Sequence, residues 1–402
     1  LIFKYKAVTN TGETVDGTFE GQNTDEVISM LRDNNYLPVS VEELNEREIK
    51  SGITLGTNIK KKDIAVFCRQ FYFMLNAGIS IVNCLDILEK QTENKLLKKS
   101  IEQAYEDVQK GMTLSEAMKK HKKIFPLLLV NMIEAGEVSG NLDIIMDRMS
   151  MHYEKENKIE NKVKSAFTYP IILIIVSVAV VVFLLTKVMP TFIGMFESSG
   201  AILPGPTRYL LNMSNRLENY WFVYIIILPL IIIVIAFYAK SSSGKMFFDR
   251  LKIKLPGLKN TNIKIITSRF TRTLSTLLSS GIPLIQSLEV VNKVVGNVIV
   301  VKGLEKGIED IKKGVSLSNT IRDIGVFPPM VYSMINVGEE SGSLDEILFK
   351  TADFYDEEVE TSLDKMTTML EPILIVIMAF IIGFIVIAMA MPMFDVVNTI
   401  EM

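Results

Sequence analysis

The sequence predicts a mainly α-helical integral membrane protein with two repeated cytoplasmic helical bundles, three transmembrane helices and a small N-terminal α+β unit. Three observations carry this reading. The stretches 167–186, 220–239 and 373–391 contain no charged residue; at about 1.5 Å rise per residue, ~20 residues cover the roughly 30 Å of a bilayer core. A polar turn is written twice, GEVSGNLD from Gly136 and GEESGSLD from Gly338, 202 residues apart. Between the spans, apolar residues recur at helical spacing. The 402 residues are 49% hydrophobic, high for a soluble chain, and the three stretches account for the excess.

Residues 1–45 form the N-terminal unit. FKYKAVTNTGETVDGTFEG alternates apolar and polar residues around Gly12 and Gly17, as a hairpin does; NTDEVISMLRDNN offers a cap and a short amphipathic helix, and LPVSVEEL a closing strand. The opening has Lys4 and Lys6 and no long apolar run, so no signal peptide is expected and this unit is expected to fold where it is made. Leu1 in place of methionine suggests a trimmed or differently initiated chain. A linker, 46–61, follows with Ser51, Gly52 and Gly56.

The first bundle is assigned to 62–166 and the second to 240–371. Ile64, Phe67, Cys68, Phe71 and Leu75 line one helical face, and Phe270, Thr271, Leu274 and Leu278 repeat the pattern 203 positions later. Gly281 stands at the place of Gly78, Arg272 at that of Arg69, and KGVSLSNTI answers KGMTLSEAM. From Phe125-Pro126 and Phe327-Pro328 onward the offset is 202, and it persists through Pro170/Pro372 and Pro190/Pro392. An internal duplication is the simplest account.

In the repeated turn, Gly136, Ser139 and Gly140 in one copy and Gly338, Ser341 and Gly342 in the other suit a tight reversal. Asn141 and Ser343 are expected to cap the next helix, with Asp143 and Asp345 at its positive end. Glu137 and Glu339 could instead ligate a divalent cation; the structural reading is preferred, because two carboxylates without a repeated Asp-rich loop make a poor hard-cation cage.

Basic flanks set the expected topology. Lys155, Lys158, Lys162 and Lys164 precede the first span and Lys240, Lys245, Arg250, Lys252, Lys254 and Lys259 follow the second, so both flanks are cytoplasmic. The membrane segments are 167–190, 220–239 and 372–394, the external loop 191–219 and the external tail 395–402; the N-terminus is cytoplasmic. Pro229 lies in the middle span, where a kink is one outcome.

Several classes are disfavoured. His121 and His152 lack neighbours at metal-ligand spacing, and Gly244-Lys245 has no upstream glycine for a P-loop, so no enzyme, metal site or cofactor is expected. The spans hold no buried ionisable residue that would mark a transport pathway; Lys187 and Glu371 lie close enough to the interfaces to reach water. A net charge of −3 without a basic stripe argues against nucleic acid. Cys68 and Cys84 sit on apolar helical faces as packing residues. One charge feature stands apart: DFYDEEVETSLD carries Asp353, Asp356, Glu357, Glu358, Glu360 and Asp364, whereas the matching stretch of the first copy mixes both signs. It reads either as a solvated helix face or as a docking face for a basic partner.

With these residues in view, the chain resembles the inner-membrane platform proteins of type IV pilus and type II secretion machines, the PilC and GspF family. The most specific likeness is KVKSAFTYP, with Lys162, Tyr169 and Pro170, followed by an apolar run ending at Pro190, and its second-copy counterparts Pro372 and Pro392. Phe167 departs mildly from the family's more usual aliphatic residue. The resemblance implies a non-enzymatic scaffold whose repeats are six-helix bundles. It implies a homo-oligomer in the bilayer, at the base of a pilin fibre and against a hexameric cytoplasmic ATPase of assembly, and in some systems of retraction. Pilins or pseudopilins and other membrane components of the machine are the implied partners. A type II secretion or competence pseudopilus platform is the alternative within the class, and a multi-pass membrane receptor the alternative outside it, disfavoured by an external loop of 33 residues (187–219).

Overall fold

The computed structural model describes residues 2–8, 14–20, 23–33, 36–44, 59–197, 204–255 and 257–400. The chain divides into two compact units, 1–58 and 59–402. In the first, strands β1 (Ile2–Val8), β2 (Thr14–Glu20) and β3 (Leu37–Leu44) form an antiparallel sheet in the order β2-β1-β3. Helix α1 (Thr24–Asp33) buries Val27 and Leu31 together with Ala7. The hairpin turn at Gly12 and most of the expected linker lie outside the described residues.

The second unit opens with α2 (Lys61–Asn76), α3 (Ile81–Gln91), α4 (Lys95–Gln109), α5 (Leu114–Lys119), α6 (Leu127–Ser139) and α7 (Leu142–Phe183). Each start is encoded locally. Ser80, Asn94 and Thr113 accept backbone N–H groups at the first turns of α3, α4 and α5, satisfying donors that no helix can satisfy itself. A turn of π-helix, Leu184–Val188, joins α7 to α8 (Met189–Glu197). Helix α9 (Gly205–Lys240) returns the chain, and α10 (Ser242–Lys254) leads into the second copy. That copy comprises α11 (Lys259–Ser279), α12 (Leu284–Val294), α13 (Val298–Lys312), α14 (Leu317–Ile324), α15 (Pro329–Ser341) and α16 (Leu344–Ile400). The copies are built alike to the level of side chains. Phe67 packs on Phe125 at 5.9 Å between centroids, and the equivalent Phe270 and Phe327 meet at 4.8 Å.

Three helical stretches, Leu142–Phe192, Gly205–Lys240 and Leu344–Pro392, are long and apolar enough to cross a membrane. Within the stretch assigned to an external loop, 191–219, helix α8 runs to Glu197 and α9 is helical from Gly205. The non-helical residue inside α9 is Tyr220 (φ −122°, ψ 22°), so the break lies nine residues before Pro229, where the polar turn run ends and the apolar run begins.

The C-terminal ends of the two long helices show what Pro190 and Pro392 do. Pro392 has no N–H, so the carbonyl of Ala388, four residues earlier in α16, has no helical partner; Thr207 Oγ1 donates to it. Pro190 follows a π turn, in which the orphaned carbonyl lies five residues back, at Leu185, and Ser214 Oγ donates there. Thr207 and Ser214 are both buried and two turns apart on α9. One helix thus fills both proline-made vacancies from buried positions. Leu185, Met189, Leu210, Ile385 and Ala388 pack around the two bonds. Thr207→Val and Ser214→Ala are each expected to cost about 1 kcal/mol, measured as unfolding in detergent micelles. Thr191→Val, which removes a bond only to its own helix, serves as the near-neutral comparison.

Candidate functional site

The repeated turn is a junction of three helices. Gly140 (φ +74°) and Gly342 (φ +72°) end α6 and α15 in the left-handed region that favours glycine. Gly136 and Gly338 let the next helix approach: a Cβ on Gly136 would lie 2.9 Å from Ile145 Cγ1, and one on Gly338 would lie 2.9 Å from the Leu344 backbone. Ser139 Oγ donates back to the Gly136 carbonyl. Ser341 Oγ donates to the Val337 carbonyl and shares a bond with Ser343 Oγ. Asp143 and Asp345 stand in the first turns of α7 and α16.

Two expectations change here. Asn141 makes no side-chain cap: its φ and ψ of −112° and 45° are not those of an extended N-cap, and its N–H is engaged by the Gly136 carbonyl at 3.1 Å. Ser343 likewise serves α16 through its carbonyl, which accepts from Ile347 N–H, while its hydroxyl is with Ser341. The glutamates have a definite task. Leu114 and Ser115 donate their N–H groups to Glu137 Oε1 and Oε2 at 2.6 and 3.1 Å, and Leu317 and Ser318 to Glu339 at 2.6 and 3.0 Å. Each carboxylate caps the short helix α5 or α14 from a distance of 21–23 residues in sequence. GE and KGx[TS]LS, repeated separately in the sequence, are two halves of one contact.

Within each copy, the long helix is tied to the first helix by equivalent ion pairs: Lys61–Glu156 and Lys264–Glu358, both 2.7 Å, and Arg69–Glu154 at 2.8 Å with Arg272–Asp356 at 2.6 Å. Between copies, α7 and α16 run side by side. Ile159, Val163 and Ala166 of α7 pack with Val359, Leu363 and Met366 of α16, together with Ile265 of α11. Charges flank this seam: Lys158–Glu360 at 2.5 Å, Lys162–Asp364 at 3.5 Å and Lys155–Asp353 at 3.5 Å. Tyr169 then donates to Glu371 at 3.1 Å where the helices become apolar. Pro170 is buried and Pro372 exposed.

The acidic stretch is therefore largely engaged within the chain. Asp353 and Asp356 hold the buried Arg272, whose guanidinium also lies over Phe349 at 5.1 Å; Glu358, Glu360 and Asp364 each meet a lysine. Glu357 is exposed. Sequence reasoning missed these partners because they lie in other helices.

Beside the seam is a cavity of about 260 Å³, lined by Lys61, His152, Glu156, Arg269, Arg272 and Asp356 among others. His152 Nδ1 and Arg272 Nε have no hydrogen-bond partner there. Burial pushes the His152 imidazole below its ordinary value, opposed by the charge of Glu156. Burial alone would raise the Glu156 carboxyl, but His152, Lys61 and Arg269 outweigh it and hold it low. In the spans, a groove of about 550 Å³ opens between α7, α9 and α16, with Ser177 among apolar walls that include Leu173, Val181, Met213 and Ile377. Among the described residues, no cluster of His, Cys, Asp or Glu could hold a metal ion.

Two predictions follow from these groups. Glu137→Ala and Glu339→Ala each leave two amides uncapped and are expected to cost roughly 1–3 kcal/mol, with Glu→Gln costing less, as measured by denaturant unfolding. A lowered histidine pKa contributes stability that is complete above its unfolded value of 6.5 and is lost as pH falls through the folded value. The loss of melting temperature between pH 7 and pH 5 should therefore be smaller for His152→Phe, the residue the second copy carries at Phe354.

Comparison with known proteins agrees with this duplicated architecture. The family model described as "Type II secretion system (T2SS), protein F" matches twice, over residues 67–190 and 270–392. Each match ends at one of the repeat-equivalent prolines. The "Type II secretion system protein F, N-terminal domain" matches residues 2–42. The "Type IV pilus assembly protein PilC" of Thermus thermophilus is 37% identical, covering 100% of this chain and 99% of the relative, and that of Myxococcus xanthus is 36% identical over 99% and 96%. The "Type II secretion system protein F" of Vibrio cholerae is 30% identical over 98% of each. The chain belongs to the type II secretion system protein F family.

Proposed function

We propose that this protein is a non-enzymatic platform in the cytoplasmic membrane for type IV pilus assembly. The observation that carries the reading is full-length similarity of 36–37% to two proteins named for pilus assembly, against 28–30% to three named for type II secretion. The N-terminus and both bundles face the cytoplasm and the C-terminus lies outside, in keeping with the basic flanks at 155–164 and 240–259. A cytoplasmic hexameric ATPase engages the bundles, and pilins meet the spans as they enter or leave the fibre.

The coupling element in this proposal is the pair α7 and α16. Each begins at a glutamate-braced bundle junction and continues without a loop into the apolar region. At the outer end both are hooked to α9 by Thr207 and Ser214. A continuous helix transmits displacement along its axis, whereas a flexible break absorbs it. Insertion of two glycines after Lys162 or after Asp364 should therefore abolish fibre assembly while leaving the chain in the membrane. Normal assembly rates in both insertions would refute rigid transmission.

The assignment itself is tested by deleting the gene, restoring it, and counting surface fibres by electron microscopy alongside the proteins released to the medium. Loss of fibres with unchanged release is the expected result. Loss of release with intact fibres would identify a secretion platform instead.

A further inference from the structure

The two copies meet through unlike faces, and one face of each kind is left over. The apolar seam is made by Ile159, Val163 and Ala166 of α7 with Val359, Leu363 and Met366 of α16, whereas the duplication sets equivalent residues of the long helices 202 apart. In repeat terms the apolar seam residues of the two helices are therefore not equivalent, although the ion pairs at the seam's edge join equivalent positions. The equivalents of the α7 seam residues on α16 are Thr361, Lys365 and Thr368, all exposed.

The bundles repeat this asymmetry. From α7, Arg148 donates to Ser279 and Ser280 at the end of α11, Glu156 meets Arg269, and His152 lines the cavity with Arg272. This covers the α11 face; Arg272 and Thr276 are buried. The corresponding face of the first copy, 203 positions earlier on α2, is open and more apolar. Val66 is 44% and Phe73 58% exposed where the second copy has Arg269 and Thr276, and Met151 is 44% exposed where it has Asp353. The corresponding covering face on α16 is open too. Lys350, Phe354 and Glu357 stand where the first copy has Arg148, His152 and Lys155, and Phe354 is 41% exposed.

We propose that the α16 face bearing Lys350, Phe354 and Glu357 docks on the α2 face bearing Val66 and Phe73 of a second copy. The contact made within one chain is thereby repeated between chains. Transposing the internal geometry sets the register: Phe354 falls on Phe73 beside Arg69, and Lys350 on Asn76. The aromatic pair replaces His152 and Thr276, which line one groove in the internal junction, and suits a contact formed after folding from exposed apolar surface. Its lower part, where the seam equivalents are polar, stays open. A head-to-tail contact of this kind leaves a free face at each end and adds further copies in the same sense until a ring closes. The inference does not depend on which machine the protein serves.

The test uses full-length copies carrying two different tags, co-expressed in native membranes, one with Phe73→Cys and the other with Phe354→Cys, treated with a short bis-maleimide. The native thiols make a low background: Cys68 and Cys84 are buried, and burial pushes the Cys84 thiol up to about 11 and that of Cys68 higher. A product carrying both tags is expected from this mixture and from Asn76→Cys with Lys350→Cys. At least tenfold less should form when both copies carry the same cysteine. Arg148→Cys with Ser279→Cys in a single chain reports that the internal junction has formed. With that control intact, equal linkage of like cysteines would overturn the proposal in favour of a two-fold contact. No linkage for either pair would overturn it outright.

Discussion

The structure depends on one constraint: two long helices from duplicated units must lie side by side with their apolar residues turned toward each other. Identical copies would meet with like charges opposed. The second copy avoids this by sign reversal, placing Glu360 and Asp364 where the first has Lys158 and Lys162. Exposed ion pairs of this type contribute less than about 1 kcal/mol each, so they do not hold the junction; burial of the seam does. Their effect is selective. Two lysines in those places at ~4 Å would repel by roughly 1–4 kcal/mol, and pairing of the first copy with another first copy meets that penalty.

The long helices are braced at both ends by different chemistry, each suited to its solvent. At the bundle end, water competes for backbone amides, and the cap is a charged carboxylate held partly buried, Glu137 or Glu339. At the far end the bonds are buried in protein, and a neutral hydroxyl donating to a carbonyl suffices. There the prolines leave acceptors without helical partners, and Thr207 and Ser214 fill them. Between these braces α7 and α16 continue without a loop, each carrying one internal proline, Pro170 or Pro372.

Much of this was legible in the sequence. The duplication, the spans and the glycines at 140 and 342 each leave a local mark, the last because few other residues adopt φ near +70°. What escaped notice depends on partners distant in the chain. Glu137 reads as part of a turn until its target, the start of α5, is placed beside it. The signal was present, since GE and KGx[TS]LS recur at almost the same offset. The acidic stretch reads as a free surface until the lysines 202 residues earlier are set against it, and the sign reversal at Lys158/Glu360 was visible. The Asn141 cap failed for a different reason: a glycine-ended helix hands the next residue's N–H back to the preceding turn, leaving Asn141 in the wrong conformation to cap. The π turn had only Pro190 to announce it.

The same arginine in the two copies shows how covering a face has shaped it. Arg69 pairs with Glu154 at the surface, while Arg272 is buried by α7 and held by both Asp353 and Asp356. Burying a guanidinium is costly unless its charge is compensated, and the second carboxylate, at the position of Met151, joins Asp356 at the same Nη2. The covered face thus acquired polar residues matched to one another. The uncovered face kept Val66, Phe73 and Met151 in contact with water, which is the reverse of what burial within this chain alone would select. An apolar face that is exposed while its polar twin is buried is best explained by a surface that is covered after the chain has folded.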